Sequence, residues 1–346
     1  MGLADDTGWW NGISFGDFDN NGFVDIIATN FGLNTKYGSP SKEKPVSLFY
    51  GDMDSDGSIE LVEAKKKDDQ LLPVRGRSCS CHQLPDLKEK FPSYHDFALA
   101  DLGDIYELSE TNELKCTNLS SVLIMNYGDR MEMQPLPYLA QLAPSFGSVV
   151  ADFNGDGNAD VFTLQNFYGP QVETGRMSGG LSSMLLGNGD GTFKELWPAE
   201  SGLIIPEDAR SVSICNLNGD NKPDLMVTCC DGPTRCFTNQ FTSAEFARVR
   251  LQGRPGNQNC VGATVTISQE SKSTVTRIAT GSGYLTHSIP DLFIPTTGTK
   301  AINLSIEWPD GTESETKVVP HNKLVVVKQE NENKISATKE ATGKSD

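Results

Sequence analysis

Short apolar runs alternate with polar, glycine-rich stretches along most of the chain, and four pairs of runs share one arrangement. In each pair, a run rich in β-branched and aromatic residues precedes a nine-residue acidic segment and a second run follows it. The pairs are 13–15 with 26–29, 47–50 with 61–63, 148–151 with 161–164, and 212–215 with 225–228. Runs of this length and composition, bounded by turn residues, predict β-strands. The sequence therefore predicts a repeat of strand, acidic loop and strand.

The four acidic segments, here called loops 1 to 4, cover residues 17–25, 52–60, 152–160 and 216–224. Positions 1, 3, 5 and 9 carry oxygen-bearing side chains, and glycine stands at position 6 in loops 1 to 3. A hard cation such as Ca²⁺ takes about six to eight oxygen ligands, and glycine permits the sharp turn that such a loop needs. With the carbonyl of position 7 added, the predicted calcium ligands are Asp17, Asp19, Asn21, Phe23 and Asp25; Asp52, Asp54, Asp56, Ser58 and Glu60; Asp152, Asn154, Asp156, Asn158 and Asp160; and Asn216, Asn218, Asp220, Lys222 and Asp224.

Loop 4 departs from this pattern. It carries Asn216 at position 1, Asn221 where loops 1 to 3 have glycine, and Lys222 at position 7. The sequence therefore predicts about three calcium sites and leaves the fourth loop open. An EF-hand would place helices around a loop of about twelve residues that ends in glutamate. Only loop 2 has that glutamate, Glu63, and β-type runs flank it, so we do not interpret the loops as EF-hands.

Two further turns, at residues 126–129 and 188–191, follow apolar runs of their own. Asp190-Gly191 between two such runs predicts a β-hairpin, because both central residues of its tight turn need positive φ. Strand, loop, strand and hairpin together make a four-stranded blade, and blades of this kind stack radially into a β-propeller.

The units resemble FG-GAP repeats, also called VCBS-type repeats, over roughly residues 9–240. The acidic loops carry this resemblance together with Gly-Asp-Phe-Asp at 16–19 and Gly-Asn-Gly-Asp-Gly-Thr-Phe at 187–193. The resemblance implies propeller blades with calcium loops, as in integrin α-subunits and many secreted bacterial proteins.

The segment after loop 4 has a different pattern, with three spaced motifs and then an apolar strand. These are Asn259-x-x-Gly262-Ala263, Gly281-x-Gly283-Tyr284, Trp308-Pro-Asp-Gly311 and Lys323-Leu-Val-Val-Val327. In order and spacing they resemble the ASPIC/UnbV domain, which follows FG-GAP repeats in the cartilage acidic protein family and its bacterial relatives. The resemblance implies an extracytoplasmic, non-catalytic binding protein.

These observations predict an all-β protein. We expect a β-propeller region of FG-GAP blades, complete or incomplete, over residues 1–243, a β-rich ASPIC/UnbV domain over 244–328, and a disordered polar tail over 329–346. A helical insertion at about 66–145 interrupts the propeller region, and 87–91 and 93–106 are its expected helices, with Ser93 as an N-cap. The insertion is either a binding surface or a lid over a blade edge.

The chain has 346 residues and a net charge of −17, from 46 acidic and 29 basic residues. This excess of negative charge argues against nucleic acid and anionic membranes as partners. No apolar run is long enough to cross a membrane, and no signal peptide is visible at the N-terminus. Calcium loops suit extracellular or periplasmic space. Calcium loops indicate a location outside the cytoplasm, whereas no signal peptide is visible, so we expect the chain to be a fragment of a longer protein. Closure of the propeller by oligomerisation and a truncated gene product are the alternatives.

Other candidate chemistry is sparse. Eight cysteines allow disulfide bridges but equally allow buried thiols, and Cys79-x-Cys81-His82 lacks the second pair that a structural zinc site needs. Arg75 and Arg77 form the clearest basic pair, which could receive an anionic group of a ligand.

None of the four histidines sits in a catalytic motif, so we expect no enzyme activity. The sequence favours a calcium-binding, non-catalytic extracytoplasmic interaction module with a protein, matrix or glycan ligand. The alternative is a carbohydrate-binding or carbohydrate-active accessory protein. That alternative would need exposed aromatic side chains, and its candidates are Trp9, Trp10, Tyr168 and Trp308, although Trp308 is better explained as a turn-anchoring core residue.

Overall fold

The computed structural model describes residues 2–172, 174–242, 244–270, 272–296, 301–319 and 324–330. Strands make up most of its regular structure, and the α-helices there have seven residues or fewer. The prediction of a mainly β fold is therefore confirmed. Across these residues, no helix has the length and apolar character needed to span a membrane. The predicted disorder of the tail falls, from residue 331 onward, outside the described residues.

The first eight strands are β1 (Gly12–Gly16), β2 (Asp25–Thr29), β3 (Val46–Gly51), β4 (Glu60–Lys67), β5 (Gln70–Pro73), β6 (Asn112–Cys116), β7 (Val122–Asn126) and β8 (Met131–Pro135). They form two antiparallel sheets, and the first has the order β1-β2-β7-β8. Loop 1 joins its first two strands and the predicted hairpin at 126–129 joins its last two. Loop 1 and this hairpin therefore belong to one four-stranded antiparallel sheet, although the sequence did not assign the hairpin to loop 1.

Loop 2 lies in a long excursion between β2 and β7, which spans residues 30–121. This excursion forms the second sheet, in the order β5-β4-β3-β6, with loop 2 between β3 and β4. The sequence prediction differs here, because it placed loop 2 among the blades and began the insertion at about residue 66. The difference arises because the pairing of β2 with β7 joins strands that are far apart in the sequence.

Four short helices complete the excursion: α1 (Arg77–Gln83), α2 (Leu87–Lys90), α3 (Tyr94–Leu99) and α4 (Leu102–Ile105). The Ser93 hydroxyl accepts a hydrogen bond from the Asp96 amide at 3.1 Å, which confirms the predicted N-cap. The helical stretch predicted over 93–106 is divided, because the Asp101 side chain caps a new helix. The helices and the sheet share one buried apolar cluster: Phe49, Val62, Ala64, Cys81, Leu84, Leu87, Phe91, Phe97, Leu102, Ile105 and Tyr106.

Loops 3 and 4 each begin a further sheet. The strands of these two sheets are β9 (Ser148–Ala151), β10 (Asp160–Thr163), β11 (Ser183–Gly187), β12 (Phe193–Leu196), β13 (Asp208–Cys215), β14 (Asp224–Cys230) and β15 (Arg235–Phe237). The sheet of loop 3 is four-stranded, in the order β12-β11-β10-β9, and the sheet of loop 4 is three-stranded, in the order β13-β14-β15. A single helical turn, α5 (Pro198–Ser201), connects them.

The sheets of loops 1, 3 and 4 stack face to face in that order. Their first strands lie side by side, β1 against β9 and β9 against β13, and the Ser14 and Ser148 hydroxyls are 2.8 Å apart. One apolar cluster with Phe18 and Leu185 lies between the first two sheets, and another with Phe162 and Val227 lies between the second and third. This is how propeller blades stack. Among the described strands no sheet closes on itself, so a propeller ring is not confirmed.

The C-terminal segment, residues 245–328, contains β16 (Glu245–Gln252), β17 (Thr264–Gln269), β18 (Lys272–Arg277), β19 (Asp291–Thr296), β20 (Ile302–Glu307), β21 (Glu313–Val318) and β22 (Val325–Lys328). Two sheets, β19-β16-β22 and β18-β17-β20-β21, enclose one apolar core. Trp308 belongs to this core with 2% of its surface exposed, and its Nε1 donates to the Ser314 hydroxyl at 2.8 Å. The interpretation of Trp308 as a core residue is therefore confirmed.

The C-terminal segment covers the inner edges of the stacked sheets. β18 lies against β1, and the stretch 283–289 runs along β13. The Val212 amide donates to the Gly283 carbonyl and the Ile289 amide donates to the Ile214 carbonyl, both at 3.1 Å. Gly283 is required here, because a Cβ atom at that position would stand 1.9 Å from the Val212 carbonyl oxygen. Strand edges that would otherwise be open to other chains are thus covered.

Candidate metal centre

The four acidic loops share one pattern of hydrogen bonds between side chains and the backbone. In each loop the side chain at position 1 accepts hydrogen bonds from backbone amides near the tip, so the loop closes around that side chain. In loop 1, Asp17 accepts from the amides of Asn21 and Gly22 at 3.1 and 3.2 Å. Loops 2 and 3 repeat both bonds through Asp52 and Asp152. In loop 4, Asn216 has one oxygen for this purpose and accepts from Gly219 and Asn221.

The carboxylate at position 9 is buried in every loop: Asp25 0% exposed, Glu60 5%, Asp160 0% and Asp224 1%. One of its oxygens accepts from the backbone amide at position 2 of the same loop, at 2.7–2.9 Å. In loops 1, 3 and 4 the other oxygen accepts from an amide beyond the loop, that of Asn126, Gly187 or Asn239. The ninth residue therefore connects each of these loops to the outer part of its own sheet.

Carboxylates converge most closely in loops 1 and 2. Single oxygen atoms of Asp17, Asp19 and Asp25 all lie within 4.8 Å of one another. The same holds for Asp52, Asp54 and Glu60. Within the described part of the chain no other group of three carboxylate, histidine or cysteine ligands meets this distance, so the carboxylates of loop 3 are not gathered as tightly. Two of the predicted ligands in these loops are amide side chains and not carboxylates: Asn21 at position 5 of loop 1 and Asn154 at position 3 of loop 3.

Burial of these carboxylates has an electrostatic consequence. Burial raises the pKa of Asp25 to about 6, although the hydrogen bonds that its carboxylate accepts from the Asn126 and Phe18 amides act in the opposite direction. Burial also raises the pKa of Asp152 to about 6 and that of Asp160 to about 8, and their mutual repulsion contributes to the higher value. Charges held this close without a counterion disfavour ionisation, whereas a bound cation would favour it.

Loop 4 is the weakest candidate. Its position 1 is a neutral amide, and its two carboxylates are Asp220, which is exposed, and Asp224, which is buried. The Lys222 ammonium turns away and donates to the Thr242 carbonyl at 2.5 Å. With two carboxylates and no other anionic group within the loop, the loop offers less charge to a divalent cation than loop 1, which has three.

Loops 1, 3 and 4 lie side by side at one end of the stacked sheets. The Asn20 side chain of loop 1 donates to the Asn158 side chain of loop 3 at 3.4 Å. The Asn239 side chain, beside loop 4, donates to the Phe153 carbonyl of loop 3 at 2.9 Å. Sequence reasoning missed these links because they join residues 138 and 86 positions apart, with no local pattern to mark them.

The C-terminal segment also reaches this end. The Val275 amide donates to the Asp17 carboxylate at 3.2 Å, and the Lys272 ammonium donates to the Asp156 carbonyl at 2.8 Å. A backbone amide leaves no signature in a sequence, so the first contact could not have been predicted. Lys272 could have been noticed only as an isolated basic residue.

The other predicted candidates lie elsewhere. Trp9 packs edge-on against Phe31 and Tyr37, with ring centroids 4.7 and 4.8 Å apart, and the Arg176 guanidinium covers the Tyr168 ring. These two rings are therefore already engaged by protein. All eight cysteines are free thiols in the structure, and Cys79, Cys81 and His82 all lie on α1.

Comparison with known proteins identifies two domain families. The FG-GAP-like repeat matches residues 152–227, which include loops 3 and 4, and the ASPIC and UnbV domain matches residues 253–334. The search of curated proteins gives no match. The crystal structure of the V. cholerae biofilm matrix protein Bap1 is similar at 13% identity and a TM-score of 0.19, over 92% of this chain and 62% of that one. The chain thus spans less than two thirds of that protein, and a similarity this weak carries no argument. The chain therefore contains an FG-GAP-like repeat followed by an ASPIC and UnbV domain, as the sequence predicts.

Proposed function

We propose that this protein is a calcium-stabilised, non-catalytic module that binds a protein or matrix ligand outside the cytoplasm. The observation that carries the proposal is the geometry of loop 1. Three carboxylates converge within 4.8 Å, and two of them, Asp17 and Asp25, are buried. Buried carboxylates in such proximity need a cation or protons, and a divalent cation supplies the larger stabilisation near neutral pH.

The donor set fits calcium better than other common metals. Every predicted ligand atom is an oxygen, from a carboxylate or amide side chain at positions 1, 3, 5 and 9 and from the backbone carbonyl at position 7. Thiolate and imidazole ligands, which favour zinc and copper, are absent from all four loops. Irregular loops of this kind tolerate the variable coordination of calcium, whereas magnesium demands near-octahedral geometry.

The proposed role of the cation is structural. In loops 1 and 3 the ninth carboxylate connects the loop to the third strand of the sheet, through the amides of Asn126 and Gly187. A cation held by the same carboxylate would neutralise the loop and keep these strand ends in place. In this proposal the cation performs no chemistry.

An interaction surface is available at the loop end of the sheets. Phe23 of loop 1, Leu217 of loop 4 and Phe241 beside loop 4 expose 46%, 40% and 46% of their surface. Exposed aromatic and apolar side chains among charged ones are typical of protein-binding surfaces. Because these side chains sit on or beside the loops, cation binding would order the surface that carries them.

Calcium-dependent function favours extracellular or periplasmic space, where free calcium reaches the concentrations that weak loop sites need. The similarity to the cartilage acidic protein family stays a prediction. The carbohydrate-binding alternative is not favoured by any single contact, since its four aromatic candidates all contact other parts of the protein: Trp9, Trp10, Tyr168 and Trp308.

Binding to a panel of purified matrix and adhesion proteins, with and without chelator, tests the proposal. We expect a calcium-dependent partner whose binding weakens at least about tenfold in a Phe23→Ser, Phe241→Ser double variant. The matched control is Tyr138→Ser, since Tyr138 is 71% exposed but lies in the turn after β8, at the opposite end. Binding that is equal in chelator and in the double variant would contradict the proposal.

A further inference from the structure

A cavity of about 670 Å³ lies between the excursion and the stretch 174–179. Three separate chain segments line it, at 34–36, 74–79 and 174–179, together with Leu142. Its volume exceeds that of a single ion and falls in the range of small-molecule sites. The cavity is remote in sequence and in structure from loops 1, 3 and 4, since none of their residues lines it.

The charge of this cavity is opposite to that of the protein. Three of its lining residues are cationic, Lys36, Arg75 and Arg176, and among the described residues none that lines it is acidic. This is unexpected in a chain with 46 acidic and 29 basic residues. Like charges gathered from distant segments repel one another, so their convergence needs a compensating anion.

The protein supplies only part of that compensation. Glu63, just behind the cavity wall, pairs with Lys36 at 3.5 Å and with the Nε of Arg75 at 3.2 Å. It also accepts the Tyr37 hydroxyl at 2.5 Å, so this single carboxylate is shared among three donors. The terminal amino groups of Arg75 make no hydrogen bond to any residue within the described ranges.

An aromatic ring holds Arg176 in place. Its guanidinium lies 4.8 Å from the centre of the Tyr168 ring, and the Tyr168 hydroxyl is in turn bonded to the Pro206 carbonyl. No carboxylate pairs with Arg176 in the part of the chain that the structure describes. Stacking on an anchored ring orients the planar guanidinium and leaves its N–H groups for a ligand.

We propose that this cavity binds the sulfate or phosphate group of a small polar ligand, such as a sulfated or phosphorylated sugar. A tetrahedral oxyanion can accept from donors that approach from several directions, whereas a carboxylate is best matched by one planar guanidinium. Lys36, Arg75 and Arg176 approach from three chain segments. The side chains of Asn34, Thr35 and Ser178 beside them provide polar contacts for the rest of such a ligand.

Titration calorimetry with four probes tests this inference: glucose 6-sulfate, glucose 6-phosphate, glucuronate and glucose. We expect the sulfate or the phosphate ester to bind, with affinity that falls as salt is added, and glucose not to bind. The ester that binds more tightly identifies the source of the oxyanion. Arg176→Gln should weaken binding about tenfold, because it removes a charge-assisted hydrogen bond. Arg75→Lys keeps the charge beside Glu63 but removes the forked donors, and it should weaken binding by a similar factor.

The matched control is Arg130→Gln. Arg130 also stacks on a tyrosine ring, that of Tyr127 at 4.3 Å, but it lies outside the cavity. Both glutamine variants should keep the wild-type melting temperature, since each replaces an exposed side chain. The inference is overturned if neither ester binds, if glucose or glucuronate binds as well as the esters, or if Arg176→Gln and Arg130→Gln bind alike.

Discussion

The backbone amide of Val275 donates a hydrogen bond to the Asp17 carboxylate at 3.2 Å. Val275 lies on β18 of the C-terminal segment, whereas Asp17 is the first ligand position of loop 1, so the two residues are 258 positions apart. A proposed cation ligand is thereby also one of the attachment points for the C-terminal segment. Stability of loop 1 and attachment of that segment should therefore depend on each other.

Replacing Val275 by proline tests this link. β18 is an edge strand whose residue 275 directs its amide to Asp17, so proline there removes the hydrogen bond without breaking the ladder with β17. We expect the lost hydrogen bond to lower the free energy of unfolding by about 1.5–3 kcal/mol, the usual contribution of a hydrogen bond to a charged group. The loss of the buried valine side chain should lower it further. Urea denaturation measures this change. The matched control is Ser273→Pro, two residues along the same edge, and equal losses in both variants would show that the amide contact contributes nothing.

Removing the ninth carboxylate of loop 1 should remove one cation site. We expect Asp25→Asn to lower the number of bound calcium ions by one and to reduce the calcium-induced rise in melting temperature. Elemental analysis of dialysed protein and thermal melts check both. Asp129→Asn serves as the control, because its side chain is 82% exposed and lies on the hairpin beside loop 1. An unchanged metal count in Asp25→Asn would show that Asp25 holds no cation.

Loop 4 should gain a site when its departures from the pattern are reversed. The double variant Asn216→Asp, Asn221→Gly restores the first ligand and the residue type at position 6, where Asn221 now has a positive φ of 66°. We expect one additional bound calcium ion in this variant and none lost in Asp220→Ala. A metal count that falls in Asp220→Ala would mean that loop 4 already binds calcium.

Gly283 should tolerate no side chain. Because a Cβ atom there would stand 1.9 Å from the Val212 carbonyl, Gly283→Ala must push the C-terminal segment away from β13. We expect a loss of about 1–3 kcal/mol in the free energy of unfolding, as for other overpacked sites. Gly103→Ala is the control, since a Cβ atom at that position would meet nothing within 4 Å and α4 should be slightly stabilised. Similar melting temperatures for both variants would contradict this contact.

Local features of the fold could be predicted from the sequence, because they depend on neighbouring residues. The strand–loop–strand units, the Ser93 cap and the core position of Trp308 each follow from a short pattern and are present. What could not be predicted depends on pairing between distant residues. Nothing near loop 2 indicates that β2 pairs with β7 and leaves loop 2 within the excursion.

The residues of the candidate sites also divide into those that a local pattern predicts and those that only folding brings together. The spacing of acidic residues predicts the ligand positions of the loops, and the structure brings the carboxylates of loops 1 and 2 close together. Arg75 was identified as a basic residue with a possible anionic ligand, but its expected partner Arg77 donates to the Phe91 carbonyl instead. Lys36 and Arg176 join Arg75 only through folding, since they lie 39 and 101 positions from it.

The most direct test of the central claim is a thermal melt in excess calcium and in excess chelator, with bound metal counted on the dialysed protein. If loops 1 to 3 hold structural calcium, the melting temperature will rise by many degrees in calcium, and about three ions per chain will be found. A melting temperature that is the same in both conditions, with no bound metal, would contradict the account and would reduce the loops to hydrogen-bonded turns.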